Sequence, residues 1–117
     1  MRNFKQLLIW QKGFQIAVNS IKFVAAFPKE EKYGISSQIS RAAVSIPSNI
    51  AEGSSRTSMK DYNRFLEISL GSTFELETQL ILALKFKYIT QEQMGAFEEI
   101  IRPVQKMAFG LYNSLQK

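Results

Sequence analysis

The sequence predicts an all-α protein, an antiparallel up-down four-helix bundle, on three observations. Apolar residues recur at alternating steps of three and four through four separate stretches. Pro, Gly and Ser/Thr-x-x-Asp/Gln signals fall between those stretches, where helix ends belong. No stretch alternates with the period of two that a half-buried strand shows. Four helices joined by short links read as a bundle. A chain of 117 residues without repeats or linkers forms one domain over residues 1–117.

The first segment, about Phe4 to Phe27, carries Leu7, Trp10, Phe14, Ala17/Val18, Ile21 and Val24/Ala25 on the helical period. Asn3 is placed to cap its start and Pro28 to stop it. The second, about Ile35 to Glu52, is built on Ile35, Ile39, Ala42/Ala43, Ile46 and Ile50 and closes at Gly53-Ser54-Ser55. Pro47 inside it removes a backbone hydrogen bond and crowds the preceding turn, which predicts a kink near Ala43–Pro47 or a break. The third, about Met59 to Phe86, opens with Ser58-x-x-Asp61 and follows Tyr62, Phe65/Leu66, Ser69, Thr73, Leu76, Leu80 and Ala83/Leu84. The fourth opens with Thr90-x-x-Gln93 and follows Phe97, Ile100/Ile101, Val104, Ala108, Leu111 and Leu115, with Pro103 expected to bend it.

Composition narrows the chemistry. There is no Cys and no His, which removes disulfides, thiolate metal sites and every nucleophile that relies on Cys or on a His base. Glu75 and Glu77 diverge by about 160–200° on a helix, and a di-iron carboxylate bundle would want Glu-x-x-His pairs. No enzyme, cofactor or metal is expected. The apolar stretch Leu7–Trp10 is broken at once by Gln11 and Lys12, and no run approaches the ~20 apolar residues of a membrane span. A soluble cytoplasmic protein without a membrane role follows.

The net charge of +5 is concentrated: Arg2, Lys5, Lys12, Lys22 and Lys29 precede the first acid, while residues 30–117 balance. A one-signed element attracts polyanions or acidic partners, or simply keeps the protein in solution. The first helix also has two apolar sides. Leu7, Trp10, Phe14, Val18 and Ile21 form one, expected in the core. Ile9, Ile16, Phe23 and Phe27 form the other, expected to be an oligomer interface, because a helix greasy on both sides is covered on both sides. A deep position inside the monomer is the alternative.

On the second helix, Gln38, Arg41, Ser45, Asn49 and Glu52 form a polar ladder spaced 3, 4, 4 and 3. It is either a structural network with the third helix, which offers Ser69, Ser72, Thr73 and Glu75, or a partner surface, or a solvated face. Arg56, Lys60 and Arg64 then fall at steps of four across the start of the third helix, a phosphate-contacting corner or a solvated capping turn.

The run Ser37-Gln38-Ile39-Ser40-Arg41-Ala42-Ala43-Val44-Ser45-Ile46-Pro47-Ser48-Asn49-Ile50-Ala51-Glu52-Gly53 resembles the signature of the 23S rRNA intervening sequence protein family of bacteria. Trp10-Gln11-Lys12, Phe27-Pro28-x-x-Glu31-x-Tyr33-Gly34 and Gly71-Ser72-x-x-Glu75-Leu76-Glu77-Thr78-Gln79-Leu80 match it too, in order along nearly the whole chain. One departure is Ser40, where many relatives have Arg. The resemblance implies a four-helix bundle assembling as a ring-like homopentamer, and no catalytic activity. A related branch, the accessory variability determinants of diversity-generating retroelements, has basic pentameric barrels that bind nucleic acid and a reverse transcriptase.

The expectation is therefore a non-enzymatic homo-oligomer that binds nucleic acid, structured RNA before DNA, through Lys5, Lys12, Lys22, Arg56, Lys60 and Arg64. The alternative is an oligomeric scaffold for a protein partner, docked near Phe109 and Tyr112 on the last helix.

Overall fold

Helix ends in this chain fall where side chains satisfy the free backbone groups. Asn3 Oδ1 accepts the Lys5 N–H at 3.2 Å, but what it caps is a short 3-10 turn over Phe4–Gln6, and extended Leu7 separates that turn from helix α1, Leu8–Ala25. A second 3-10 turn, Lys29–Glu31, leads into α2, Ile35–Ser54. Ser58 Oγ accepts the Asp61 N–H and starts α3, Met59–Lys85. Thr90 and Gln93 form a reciprocal capping box before α4, Gln91–Leu115: Gln93 N–H donates to Thr90 Oγ1 at 3.0 Å and Thr90 N–H to Gln93 Oε1 at 2.8 Å. The computed structural model describes residues 2–115.

Helix α2 runs through Pro47 and α4 through Pro103 without interruption, so the second segment is one helix and not two. Each helix packs on its chain neighbours, and α1 closes the ring against α4; the most extensive pairing is α2 with α3. Ser69 Oγ donates to the Ile46 carbonyl at 2.9 Å, one residue before the proline. At Gly53 the approach is tightest, since a Cβ there would lie 2.8 Å from Phe65 Cβ and 3.3 Å from the Tyr62 carbonyl oxygen. The core is filled by Ile16, Ile39, Ile46, Ile50, Leu66, Leu76, Leu80, Phe97, Ile101 and Val104. None of the described helices is long and apolar enough to cross a membrane.

Helix α1 is turned the other way from the sequence expectation. Ile9, Ile16 and Phe27 are buried in the chain's own core, and Phe23 packs against it with its ring 6.5 Å from that of Phe97. Ile9, Ile16 and Phe27 are therefore taken up by the chain's own core, and Phe23 is left half-buried at its edge. Of the stripe assigned to the core, Phe14 and Ile21 face outward, 49% and 46% exposed, while Leu7 and Trp10 are half-buried against the core's edge. Small residues decide the matter. Gly13, Ala17 and Ser20 lie on the aliphatic side and are buried, and a Cβ on Gly13 would already sit 3.2 Å from Ile46 Cγ2. Trp10 and Phe14 are too bulky for that gap, so they stack on each other outside it, with centroids 5.1 Å apart.

A polar clip that the sequence did not disclose joins α3 to α4. Arg102 grips both oxygens of Glu77, with Nη1 at 2.8 Å from Oε1, and also donates to Gln105 Oε1. Gln105 Nε2 in turn donates to Thr73 Oγ1 and Glu77 Oε1, each at 3.2 Å. At the α3–α4 turn the Tyr88 hydroxyl donates to Glu31 at 2.8 Å and fastens that turn to the α1–α2 link.

Gly53→Ala should destabilise the fold by about 1–3 kcal/mol, because the new methyl meets the base of Phe65 and not a flexible side-chain end; chemical denaturation reads this directly. The Arg102 hydrogen bonds hold the Glu77 carboxyl below the usual carboxylate range, burial opposing them and Gln105 adding to them. The unfolded chain thus binds that proton more readily than the folded one. The stabilisation is complete above the ordinary carboxylate pKa and is lost as pH falls through the depressed value. Glu77→Gln should cost about 1 kcal/mol at neutral pH and flatten the acid limb of the stability curve, as urea titrations from pH 3 to 7 would show.

Candidate nucleic-acid interface

The α2–α3 turn gathers most of the basic candidates at one end of the bundle. Arg2 reaches back over this turn, its Nη1 donating to the carbonyls of Ser54 at 3.1 Å and Arg56 at 3.3 Å, with its guanidinium 4.7 Å from the Tyr62 ring centroid. A cation on the last carbonyls of a helix is favoured by the helix dipole, so Arg2 is both a cap for α2 and part of the basic surface. Burial pushes the Tyr62 phenol pKa up, and the Arg2 charge opposes the rise.

Arg56 and Arg64 both lie over the Phe65 ring, at 4.8 Å and 4.6 Å from its centroid. Arg56 also pairs with Glu52 at 2.7 Å. Lys60 is exposed between them on the first turn of α3, and Lys5 is exposed on the N-terminal 3-10 turn, which packs on α2. The exposed Lys12 is seven residues further, about 10 Å along the α1 axis. Lys22 is separate: it lies towards the opposite end, beside a shallow depression between α1 and α4 that Asn19, Phe23 and Gln93 also line. The structure thus brings together Lys5, Arg56, Lys60 and Arg64, adds Arg2, and leaves Lys22 out. Arg2 carried no helical spacing that could have linked it to Ser54; only the tertiary contact reveals its role.

The polar ladder on α2 divides in two. Ser45 Oγ and Ser72 Oγ share a hydrogen bond of 2.8 Å between α2 and α3, and Asn49 Nδ2 donates to both the carbonyl and the hydroxyl of Ser45. Those residues are structural. Glu52 is taken up by Arg56 within its own turn. Gln38 and Arg41 are exposed, and among the described residues neither makes a side-chain hydrogen bond or ion pair.

Beside the ladder, the outward stripe of α1 and the neighbouring face of α2 enclose an apolar groove of about 350 Å³. Trp10, Phe14, Val18 and Ile21 line one side and Val44, Pro47 and Ala51 the other. On the third helix Ile68, Phe74, Ile81 and Leu82 are also exposed, though spread over more than one face. On α4, Phe109 is exposed and Tyr112 half-buried.

None of the curated protein sequences matches this chain. Among solved structures, a protein of unknown function from the S23 ribosomal protein family of Bacteroides thetaiotaomicron VPI-5482 is similar, with a TM-score of 0.79 and 28% identity over 90% of this chain and 98% of that one. The family model of the 23S rRNA-intervening sequence protein matches residues 5–110, which takes in all but the last turn of the bundle. With the signature run lying on α2 and the same helical architecture around it, the chain belongs to the 23S rRNA-intervening sequence protein family.

Proposed function

We propose that this chain is a non-enzymatic homo-oligomer, a pentamer on the family resemblance, that binds structured RNA through phosphate contacts at the α2–α3 end of each subunit. The observation that carries the reading is the convergence of Arg2, Lys5, Arg56, Lys60 and Arg64 on that end, against the carboxylates of Glu52 and Asp61. One subunit offers a modest excess of positive charge, and a ring repeats it. Superposed fields of that kind raise the local concentration of a polyanion far more than isolated lysines do.

The apolar groove between α1 and α2 supports the oligomer. Contiguous exposed aromatic and aliphatic surface of this kind marks an interaction face. The corrected orientation of α1 moves the proposed interface from Ile9, Ile16, Phe23 and Phe27 to Trp10, Phe14, Ile21 and Val44. The family's description refers to a sequence intervening in 23S rRNA, and RNA is the polyanion we take as the ligand. A cytoplasmic location goes with that role. A protein partner is the second reading, favoured by the exposed ring of Phe109 beside Tyr112.

Light scattering should give a mass of about five chains. Phe14→Glu combined with Val44→Glu should release monomers of unchanged helical circular dichroism, since both side chains are largely outside the core. A monomeric parent protein would overturn the oligomer. For RNA, log affinity should fall linearly with log salt. Lys60→Glu with Arg64→Glu should weaken binding at least tenfold at low salt and flatten that slope, while Lys22→Glu should change affinity by less than about twofold. A salt-insensitive complex, or none at low salt, would refute the RNA reading. Retention of a protein partner after the same charge reversal would favour the scaffold.

A further inference from the structure

At the same end of the bundle, an open groove of about 560 Å³ lies between the first turns of α3 and the last turns of α4. Its wall contains an unusual side chain. Asn63 is only 7% exposed, and its Oδ1 is buried with no hydrogen-bond partner among the described residues. Buried amides are nearly always satisfied, so an orphan amide lining a cavity marks the place of a missing partner that donates or accepts. Oδ1 is closed off from the groove, so a ligand there meets the other end of the amide, and a 180° turn presents the oxygen in its place; the site offers a donor or an acceptor, one at a time.

The remaining lining says what that partner is. Tyr112 supplies a half-buried aromatic wall from α4, and Lys60 and Arg64, one turn apart on α3, supply two cations. Asp61 and Glu67 add acceptors. A free phosphate would use the cations and leave the tyrosine and the amide idle. An apolar peptide anchor would use the tyrosine and leave the cations idle. A nucleotide uses all of them: a flat base that stacks, edge groups that both donate and accept, and an attached phosphate. The groove is also continuous with the basic corner, because Arg64 lines the one and flanks Phe65 in the other.

We infer that this α3–α4 groove takes one unpaired nucleotide of a bound RNA, its base against Tyr112 and the Asn63 amide and its phosphate on Lys60 and Arg64. The inference rests on the RNA reading above and sharpens it: phosphate contacts alone need no unpaired base, whereas this groove admits only a base that has left its stack.

The experiment measures binding of the full chain to a single-stranded RNA and to a duplex of the same length, with Tyr112→Leu and Asn63→Ala as variants and thermal melting as the control for folding. Tyr112→Leu keeps the apolar bulk and removes the stacking face. Each variant should lose about tenfold or more on the single strand and less than twofold on the duplex. Equal losses on both, or none on either, overturn the nucleotide site while leaving the basic surface in place. If the parent protein binds neither RNA, the RNA reading fails, and the groove is then judged by titration with nucleoside monophosphates. Movement of the Asn63 side-chain amide and Tyr112 ring resonances with a nucleoside monophosphate, but not with ribose 5-phosphate, upholds the site; equal or absent movement overturns it.

Discussion

The close approach of α2 to α3 sets the geometry of the rest of the molecule. Two residues make it possible. Gly53 lets the end of α2 lie directly on the Tyr62–Phe65 turn, and Ser69 fills the contact at Pro47 with a hydroxyl that bonds the Ile46 carbonyl. The Ser45–Ser72 bond continues the same register. Buried hydroxyl pairs fix register more sharply than apolar packing does, since a slip would leave each group unsatisfied. Carried through the turn, this register places Arg56 and Arg64 on one phenylalanine ring and brings the turn carbonyls within reach of Arg2.

Helix α1 obeys the same constraint from the other side. Both of its faces are apolar, so hydrophobicity alone does not choose between them. Volume chooses. The face with Gly13, Ala17 and Ser20 approaches α2 closely, and the one with Trp10 and Phe14 cannot. Taking the longer periodic stripe as the core gives the wrong orientation; ranking the two by how near a neighbouring backbone could come gives the observed one.

Much of the fold was legible because its signals are local. Thr90 and Gln93 announce the start of α4 in sequence and make both hydrogen bonds of the capping box in the structure, and Ser58 does the same for α3. The period of three and four in α3 picked out Leu66, Ser69, Thr73, Leu76 and Leu80, all of them buried. What was not legible depends on distance along the chain or on a missing cue. Arg102 and Glu77 are separated by 25 residues, and nothing in either helix's own pattern points to the other. The end of α3 lacks its usual glycine: Lys87 takes the left-handed conformation with φ 65°, while Tyr88 N–H closes on the Ala83 carbonyl at 2.8 Å. The polar ladder had the right spacing but mixed two kinds of residue, Ser45 and Asn49 tied to the helix pair and Arg41 left in solvent.

The arginines at the α2–α3 end differ from ordinary surface cations in one respect. A free arginine samples many rotamers, and holding it in one geometry costs up to about 2 kcal/mol of side-chain entropy. Here Arg2 is already held on Tyr62 and two carbonyls, and Arg56 and Arg64 are held on Phe65. Their ordering cost is met during folding, so an anion arriving at this corner encounters charges that have little freedom left to lose. Exposed lysines such as Lys12 and Lys22 have no ring, carbonyl or carboxylate holding them among the described residues, which makes the two kinds of cation unequal even where their charge is the same.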